Sequence, residues 1–315
     1  MIEPRGHKEH AEKAGNREDY AHRVLELLSH ALLRVLCASV LQYQKRRKLV
    51  TSKTIVAALT LICALSSVGI AATIRPIVDV KSGYLLGGSD GKKWMNAKTI
   101  AAALRGKETY RVYDVKRRLS NGIGDKPESQ GAPCPDTLFV DIKPKKGAIA
   151  VGGMGSSLPR IPQTLSSASP VYRKLVADIL RKHGIKPNVQ ITQILRVDLE
   201  GDGSQEVLIS ATLHKGYGTP GSISARSLAN EYSILFLRKV VGGKVITQML
   251  HEEYYTKDMT FNAPEIFNIA GVWDLNGDGT MEIVTFDRYY EGNGTTVYEM
   301  RNNRAVKVLD SGCGA

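Results

Sequence analysis

Two stretches of the chain concentrate oxygen-bearing side chains at short spacing. In "DLNGDGTME" (274–282) an Asp, an Asn, a second Asp, two glycines and a Glu fall within nine positions, and an apolar, strand-like run follows. "DLEGDGSQE" (198–206) repeats the pattern at a constant offset of 76. Asp198 aligns with Asp274, Asp202 with Asp278, Gly203 with Gly279 and Glu206 with Glu282. Hard cations such as calcium take six to eight oxygens at about 2.3–2.6 Å. Side chains at loop positions 1, 3 and 5 converge when the backbone curls round an ion. The position-7 carbonyl adds another oxygen, and a Glu at position 9 closes the shell. The candidate ligands are therefore Asp198, Glu200, Asp202, Ser204 and Glu206 in the first loop, and Asp274, Asn276, Asp278, Thr280 and Glu282 in the second. Calcium is the expected cofactor, because magnesium prefers a strict octahedron that keeps its waters. Bringing three or four carboxylates together is unfavourable without a counter-ion. Asn-Gly and Asp-Gly also form turns without metal, but two aligned copies favour the cation. Glu200 is longer than an Asp or Asn and crowds an ion, which makes the first loop the weaker site. An EF-hand is excluded: Ile209 and Thr285 stand where its position-12 Glu would be, and flanking helices are missing.

The elements that must hold these loops repeat with them. "ITQILRV" and "IFNIAGV" precede the loops, and "EVLISATL" and "EIVTFDRY" follow. Each copy then adds a hairpin, "EYSILFLRK"–"VVGGK"–"VITQML" in the first and "TTVYEMR"–"NNR"–"AVKVLD" in the second. The predicted unit is strand, acidic loop, strand, hairpin. The first copy carries an insertion at 214–230. A shared offset through loops and strands marks a structural repeat.

The second loop matches Asp-x-Asp/Asn-x-Asp-Gly-x-x-Asp/Glu followed by a strand, and the first matches it except for Glu200 at position 3. The pattern resembles the calcium loops of FG-GAP and VCBS-type repeats, the family that builds integrin α-chain propellers. The resemblance spans 191–315 and implies calcium held between strands of an extracellular binding or adhesion domain. A propeller needs at least four blades, and only two repeats are present. The expected fold is mainly β with an α+β N-terminal part: two blade-like, four-stranded antiparallel repeats, not a complete propeller, with 72–160 covering an exposed face.

Upstream, "YLLGGSDGKKWMNAKTIAAALRGKETYRVYDV" (84–115) reads as strand, turn, short helix and strand, with Asn96 as N-cap and Gly106 ending the helix. "TLFVDI" and "GAIAVGG" read as strands, and 153–170 as an extended connector. The clearest helix is 169–184, capped by Ser169, entered through Pro170 and stopped at Gly184, with Val171, Leu175, Ile179 and Leu180 on its apolar face.

At 315 residues, 43% hydrophobic and 23% charged, the chain can bury a substantial core. Residues 1–71 hold 11 Lys/Arg against 6 Asp/Glu and the rest 32 against 25, a diffuse excess that predicts no nucleic-acid partner. "KRRK" (45–48) and Lys53 precede an uncharged run at 54–74. A basic flank, an apolar run and small residues at Gly69 and Ala71 fit a secretory signal, or an uncleaved anchor of spanning length. Flanking charge predicts that the C-terminal part is exported. The expected layout is thus an N-terminal extension at 1–48, a signal or anchor at 49–71, a small α+β region at 72–165, and a helix plus two calcium-loop repeats at 166–315. The extension is either a gene-model artefact, with initiation at Leu49 or Val50, or a genuine cytosolic tail. The expected location is periplasmic or secreted, alternatively the inner membrane with the C-terminal domain outside the cytoplasm. Membrane contact is expected only through 54–74. Of four cysteines only Cys134 and Cys313 follow this segment, and they are either a disulfide or two separate thiols.

No nucleophile elbow, P-loop or His-based metal spacing appears; His183, His214 and His251 are scattered. The acids of "HEEYY" (251–255) and "DRYYEGNG" (287–294), among them Glu252, Glu253 and Glu291, could serve a cell-envelope glycan hydrolase. The leading expectation is an exported, calcium-stabilised binding or structural protein without an evident catalytic site, with a protein or glycan partner in the envelope.

Overall fold

The computed structural model divides the chain into Met1–Ala71 and Ala72–Ala315. The described residues are 74–214 and 223–314. The extension and nearly all of the signal or anchor run lie outside them. Among the described residues no helix is long and apolar enough to cross a membrane.

The fold is mainly β. The first part builds a curled, fully antiparallel sheet from β1 (Arg75–Asp79), β2 (Leu85–Ser89), β3 (Trp94–Asn96), β4 (Glu108–Tyr113), β5 (Arg118–Gly124), β8 (Ile142–Lys143) and β9 (Ile149–Val151), in the order β3-β2-β1-β9-β4-β5-β8. Helix α1 (Ala97–Ala103) follows β3, and its N-cap Asn96 accepts a hydrogen bond from the Thr99 amide at 2.9 Å. β6 (Glu128–Ser129) and β7 (Leu138–Phe139) form a small separate ladder.

The two repeats form two sheets of consecutive antiparallel strands. The first holds β11 (Ile191–Val197), β12 (Glu206–Leu213), β13 (Glu231–Val241) and β14 (Lys244–Tyr255), plus β10 (Gln163–Thr164) from the connector at one edge. The second holds β15 (Ile266–Trp273), β16 (Glu282–Arg288), β17 (Asn293–Arg301) and β18 (Arg304–Cys313). Both terminal hairpins turn through two residues of positive φ, Gly242-Gly243 and Asn302-Asn303. Such turns match the right-handed twist of the strands they join.

The sheets stack in layers, so the central strands, such as β12, β13 and β15, are covered on both faces. In β16, Ile283 faces Leu208 and Leu235 of the first repeat, while its neighbour Val284 faces Ile77 and Ile149 of the curled sheet. In β13, Leu235 points into that inter-repeat core and Phe236 points the other way, onto helix α2 (Pro170–Lys182). Two-sided burial explains why these strands read as near-continuous apolar runs rather than alternating ones. Buried polar latches fix the stacking: Ser210 Oγ donates to the Phe267 carbonyl at 2.6 Å, and Thr295 Oγ1 donates to Asp79 Oδ2 at 2.7 Å. At one edge Gln248 Nε2 donates to the Ala305 carbonyl at 2.7 Å, and its Oε1 accepts from the Ala305 amide at 2.9 Å.

Two details of α2 differ from expectation. Leu175, Ile179 and Leu180 pack on the core as expected, joined by Val176 and Ala177, but Val171 is 71% exposed, because the helix lies on the sheet from its second turn onward. Ser169 makes no side-chain cap bond, and Pro170 at the start removes one amide that would have needed a cap.

Cys134 and Cys313 form a disulfide across a separation of 179 residues. It ties the last strand to the loop between β6 and β7. Loop closure of this length confines the unfolded chain, so Cys313→Ser is expected to lower the unfolding free energy by about 2–5 kcal/mol, measured by urea titration.

His251 sits between the repeat sheets, its ring stacked on Phe267 at a centroid distance of 4.6 Å. Its Nε2 lies 2.9 Å from Thr285 Oγ1 and 3.1 Å from the Tyr298 hydroxyl. Burial, aided by Lys307, pushes its pKa from 6.5 down to about 4. The fold therefore favours the neutral ring. Its contribution is present above the unfolded pKa and is lost as pH falls from 6.5 to about 4. The loss approaches about 3 kcal/mol. His251→Gln is expected to remove this acid-sensitive limb, so the difference between its pH–stability curve and that of the parent chain isolates it.

Candidate metal centre

Both acidic loops connect the first two strands of a repeat, and in both the first Asp organises the turn. Asp198 Oδ1 accepts from the Gly201 amide at 2.6 Å, and Oδ2 accepts from the Gly203 amide at 2.9 Å. Asp274 does the same with Gly277 at 2.6 Å and Gly279 at 3.1 Å. The position-5 acids cap the next amide but one: Asp202 Oδ1 takes the Ser204 amide and Asp278 Oδ1 the Thr280 amide, at 2.8 and 2.7 Å. The position-9 Glu reaches back across the loop. Glu206 Oε2 accepts from the Leu199 amide at 2.9 Å, and Glu282 Oε2 from the Leu275 amide at 2.7 Å. All four glycines in these loops have positive φ.

Two arginines, neither singled out by the sequence, underpin the loops. Arg160 donates to the carbonyls of Asp198 (2.5 Å), Leu199 (2.8 Å) and Gly279 (2.7 Å), joining one loop to the other. The Met281 amide adds a bond to the Leu199 carbonyl at 2.8 Å. Arg75 donates to the Asp274 carbonyl at 3.3 Å and to Ser157 Oγ at 3.0 Å. The position-4 glycine of each loop lies against its arginine: a Cβ on Gly201 would meet Arg160 and one on Gly277 would meet Arg75. The aligned glycines are the only trace of these partners in the sequence.

The loops differ in how their charge is met. In loop one the Lys239 ammonium, whose side chain is 3% exposed, contacts Glu200 and lies 3.4 Å from Glu206 Oε1. Glu200 is therefore turned onto Lys239. Burial raises the Glu206 pKa, with Asp202 and Asp198 adding to the effect against the Leu199 amide.

Loop two is more deeply set, with Asp274, Asn276 and Glu282 5%, 6% and 0% exposed. Glu282 Oε1 is buried with no hydrogen-bond partner. Burial pushes the Glu282 carboxyl well above its ordinary value; the Leu275 amide opposes this, and Asp278, Asp274 and Glu299 reinforce it. Asp274 is also raised by burial, against the pull of the Gly277 amide and Arg75. Asn276 bridges the loop, its Oδ1 accepting from the Asp278 amide and its Nδ2 donating to Asp278 Oδ2, both at 2.9 Å.

No family model, no curated protein and no solved structure matches the chain. Among the described residues no group of three or more His, Cys, Asp or Glu side chains is drawn into a ligating arrangement. The acids are instead turned onto the loop's own amides. A carboxylate oxygen with one N–H donor keeps a second lone pair, so these bonds leave coordinating capacity. The residues of loop two fit a hard cation on one decisive count: a fully buried carboxylate oxygen without a partner among raised acids. For Ser204 and Thr280, expected to ligate through their carbonyls, the structure shows amides that cap the position-5 acids.

The acids of the hydrolase reading are mostly committed. Glu252 Oε2 accepts from the Tyr254 hydroxyl at 3.0 Å, while Glu253 Oε2 accepts from the Tyr255 hydroxyl and from the Glu265 amide at 2.8 Å. Glu265, which the sequence reading passed over, is pushed up to about 7 by burial, then by Asp287 and Glu253.

Proposed function

We propose that this chain is an exported β-repeat protein of binding or structural type, with calcium in an acidic loop as a stabiliser and a protein or glycan of the cell envelope as partner. The observation that carries the cation is Glu282 Oε1, buried and unpartnered beside Asp274 and Asp278. An anionic oxygen there is shielded from bulk solvent and has no protein donor, a cost of several kcal/mol that a divalent ion offsets. Asp274, Asn276, Asp278 and Glu282, with the Thr280 carbonyl, would hold the ion, and its role is to fix the strand-to-strand turn. The disulfide and the uncharged run at 54–74 support an oxidising compartment beyond a membrane. The repeat's resemblance to FG-GAP and VCBS loops supports the binding role. Calorimetric titration of the full-length chain in mild detergent tests the cation. Calcium uptake that disappears in Asp274→Ala/Asp278→Ala is expected; no uptake by the parent chain overturns the reading.

A second reading, hydrolysis of an envelope glycan, draws on Glu265, a carboxyl held near 7 beside Glu253 and Asp287 as a general acid would be. Turnover on peptidoglycan fragments that Glu265→Gln abolishes would establish it, and no turnover would remove it.

A further inference from the structure

The two repeats differ at one position of the strand ladder, and that position decides what neutralises each loop. In repeat one Val207 pairs with Arg238, so the closing Glu206 stands across from Lys239. In repeat two Ile283 pairs with Tyr298, so the closing Glu282 stands across from Glu299. The same place thus carries an ammonium beside one loop and a carboxylate beside the other. Lys239 is buried against Glu200 and Glu206. Glu299, 15% exposed at its side chain, accepts from Trp94 Nε1 at 3.1 Å and Arg301 Nε at 2.6 Å, and it adds negative potential at Glu282.

We infer that Lys239 is the resident cation of loop one, tethered to the chain, and that loop two alone takes a divalent ion. The consequence for loop one is chemical. Its position-3 and position-9 carboxylates, two of the oxygens a metal shell would need, are held by the ammonium. A divalent ion entering there would compete with a buried positive charge for the same two carboxylates. Loop two has the same backbone turn and the same closing Glu, but no ammonium at that ladder position. Where Glu200 Oε2, also without a hydrogen bond, has the Lys239 ammonium, Glu282 Oε1 has no ion-pair partner among the described residues. Glu200 fits this assignment: its length at position 3, excessive for an ion in the loop, lets it reach Lys239. The position-3 Asn276 of loop two is short and stays within its loop, bonded to Asp278.

This inference rests on the calcium reading of loop two, but its test separates the two. Calcium stoichiometry is measured by equilibrium dialysis on the full-length parent chain, Lys239→Met and Glu299→Lys, each refolded with and without calcium. The parent is expected to bind one ion, Lys239→Met two, and Glu299→Lys none. In chelator, Lys239→Met is expected to melt lower than the parent, because Glu200 and Glu206 lose their partner, and calcium is expected to restore it. Lys239→Gln gives the same reading where the Met variant does not refold. Two ions on the parent chain overturn the inference and leave the calcium reading standing. A Lys239→Met chain that gains no ion overturns it regardless of loop two. No ion on the parent together with one on Lys239→Met overturns the calcium reading of loop two and keeps Lys239 as the cation of loop one.

Discussion

Millimolar calcium is expected to raise the melting temperature of the chain by about 5–10 °C, and a chelator to reverse the rise. The size follows from mass action. An ion that binds only the folded loop at about a hundred times its dissociation constant adds about 2.7 kcal/mol. A unit of this size shifts by about 2–4 °C per kcal/mol. The gain comes from loop two, where Glu282 is fully buried with one oxygen unpaired and Asp274 is nearly so. Glu282→Gln is the informative variant. It removes the buried charge and the best ligand together, so it should melt higher than the parent in chelator and no longer respond to calcium. Asp274→Ala/Asp278→Ala should lose the response too, but melt lower in chelator, because Asp274 also holds the Gly277 and Gly279 amides. Equal melting curves for the parent chain with calcium and with chelator would remove the ion from this protein's account.

The repeat was legible in the sequence because its loops need particular residues at particular steps. Gly203 and Gly279 have positive φ, the first Asp has amides to collect, and the hairpins end in Gly-Gly and Asn-Asn pairs that tolerate the primed turn. The Asn96 cap was legible for the same local reason. What decides the chemistry of each loop was not local. Lys239 lies beyond the insertion at 214–230, which breaks the offset of 76 before the third strand is reached. No alignment by spacing therefore places it opposite Glu299. Arg75 and Arg160 come from segments outside both repeats and meet the loops only after three sheets have stacked. Of the expected α2 face, Leu175, Ile179 and Leu180 do pack on the sheet, and only Val171 was misplaced, because it precedes the point where the helix reaches the sheet.

That stacking explains why two blade-like repeats persist without a ring of blades. A blade sheet alone has two apolar faces, and a propeller covers them with neighbouring blades. Here the second repeat is covered by the first repeat on one face and by the curled sheet on the other, and the first repeat's outer face is covered by α2. The acidic loops carry polar seams between these layers. Asp274 donates its amide to the Ser157 carbonyl at 2.9 Å, and Met281 donates to Leu199. A loop that holds its shape, whether by an ion or by an ammonium, therefore holds the register between layers as well as the turn within one.

The same logic makes Arg160→Met the most damaging single substitution expected outside the apolar core. Its guanidinium donates to three backbone carbonyls, two in loop one and one in loop two, and bridges the repeats where no strand pairing does. Bonds from a charged donor contribute about 1.5–3 kcal/mol each, and losses among neighbours overlap. The expected destabilisation is about 3–5 kcal/mol, a large part of the stability of an ordinary domain. Arg160→Lys should recover little, because an ammonium on a flexible stem cannot present the planar fork that reaches carbonyls on two separate loops. The control is Arg173→Met on the exposed side of α2, expected to stay within about 0.5 kcal/mol of the parent. Urea midpoints measured in chelator read the clamp itself, and calcium titration of the same variant reads its hold on loop two through the Gly279 carbonyl. A midpoint for Arg160→Met matching that of Arg173→Met would show that sheet packing and the Met281–Leu199 bond join the loops without the guanidinium. A lowered midpoint with unchanged calcium affinity would confine the clamp to stability and leave ion binding to loop two's own turn.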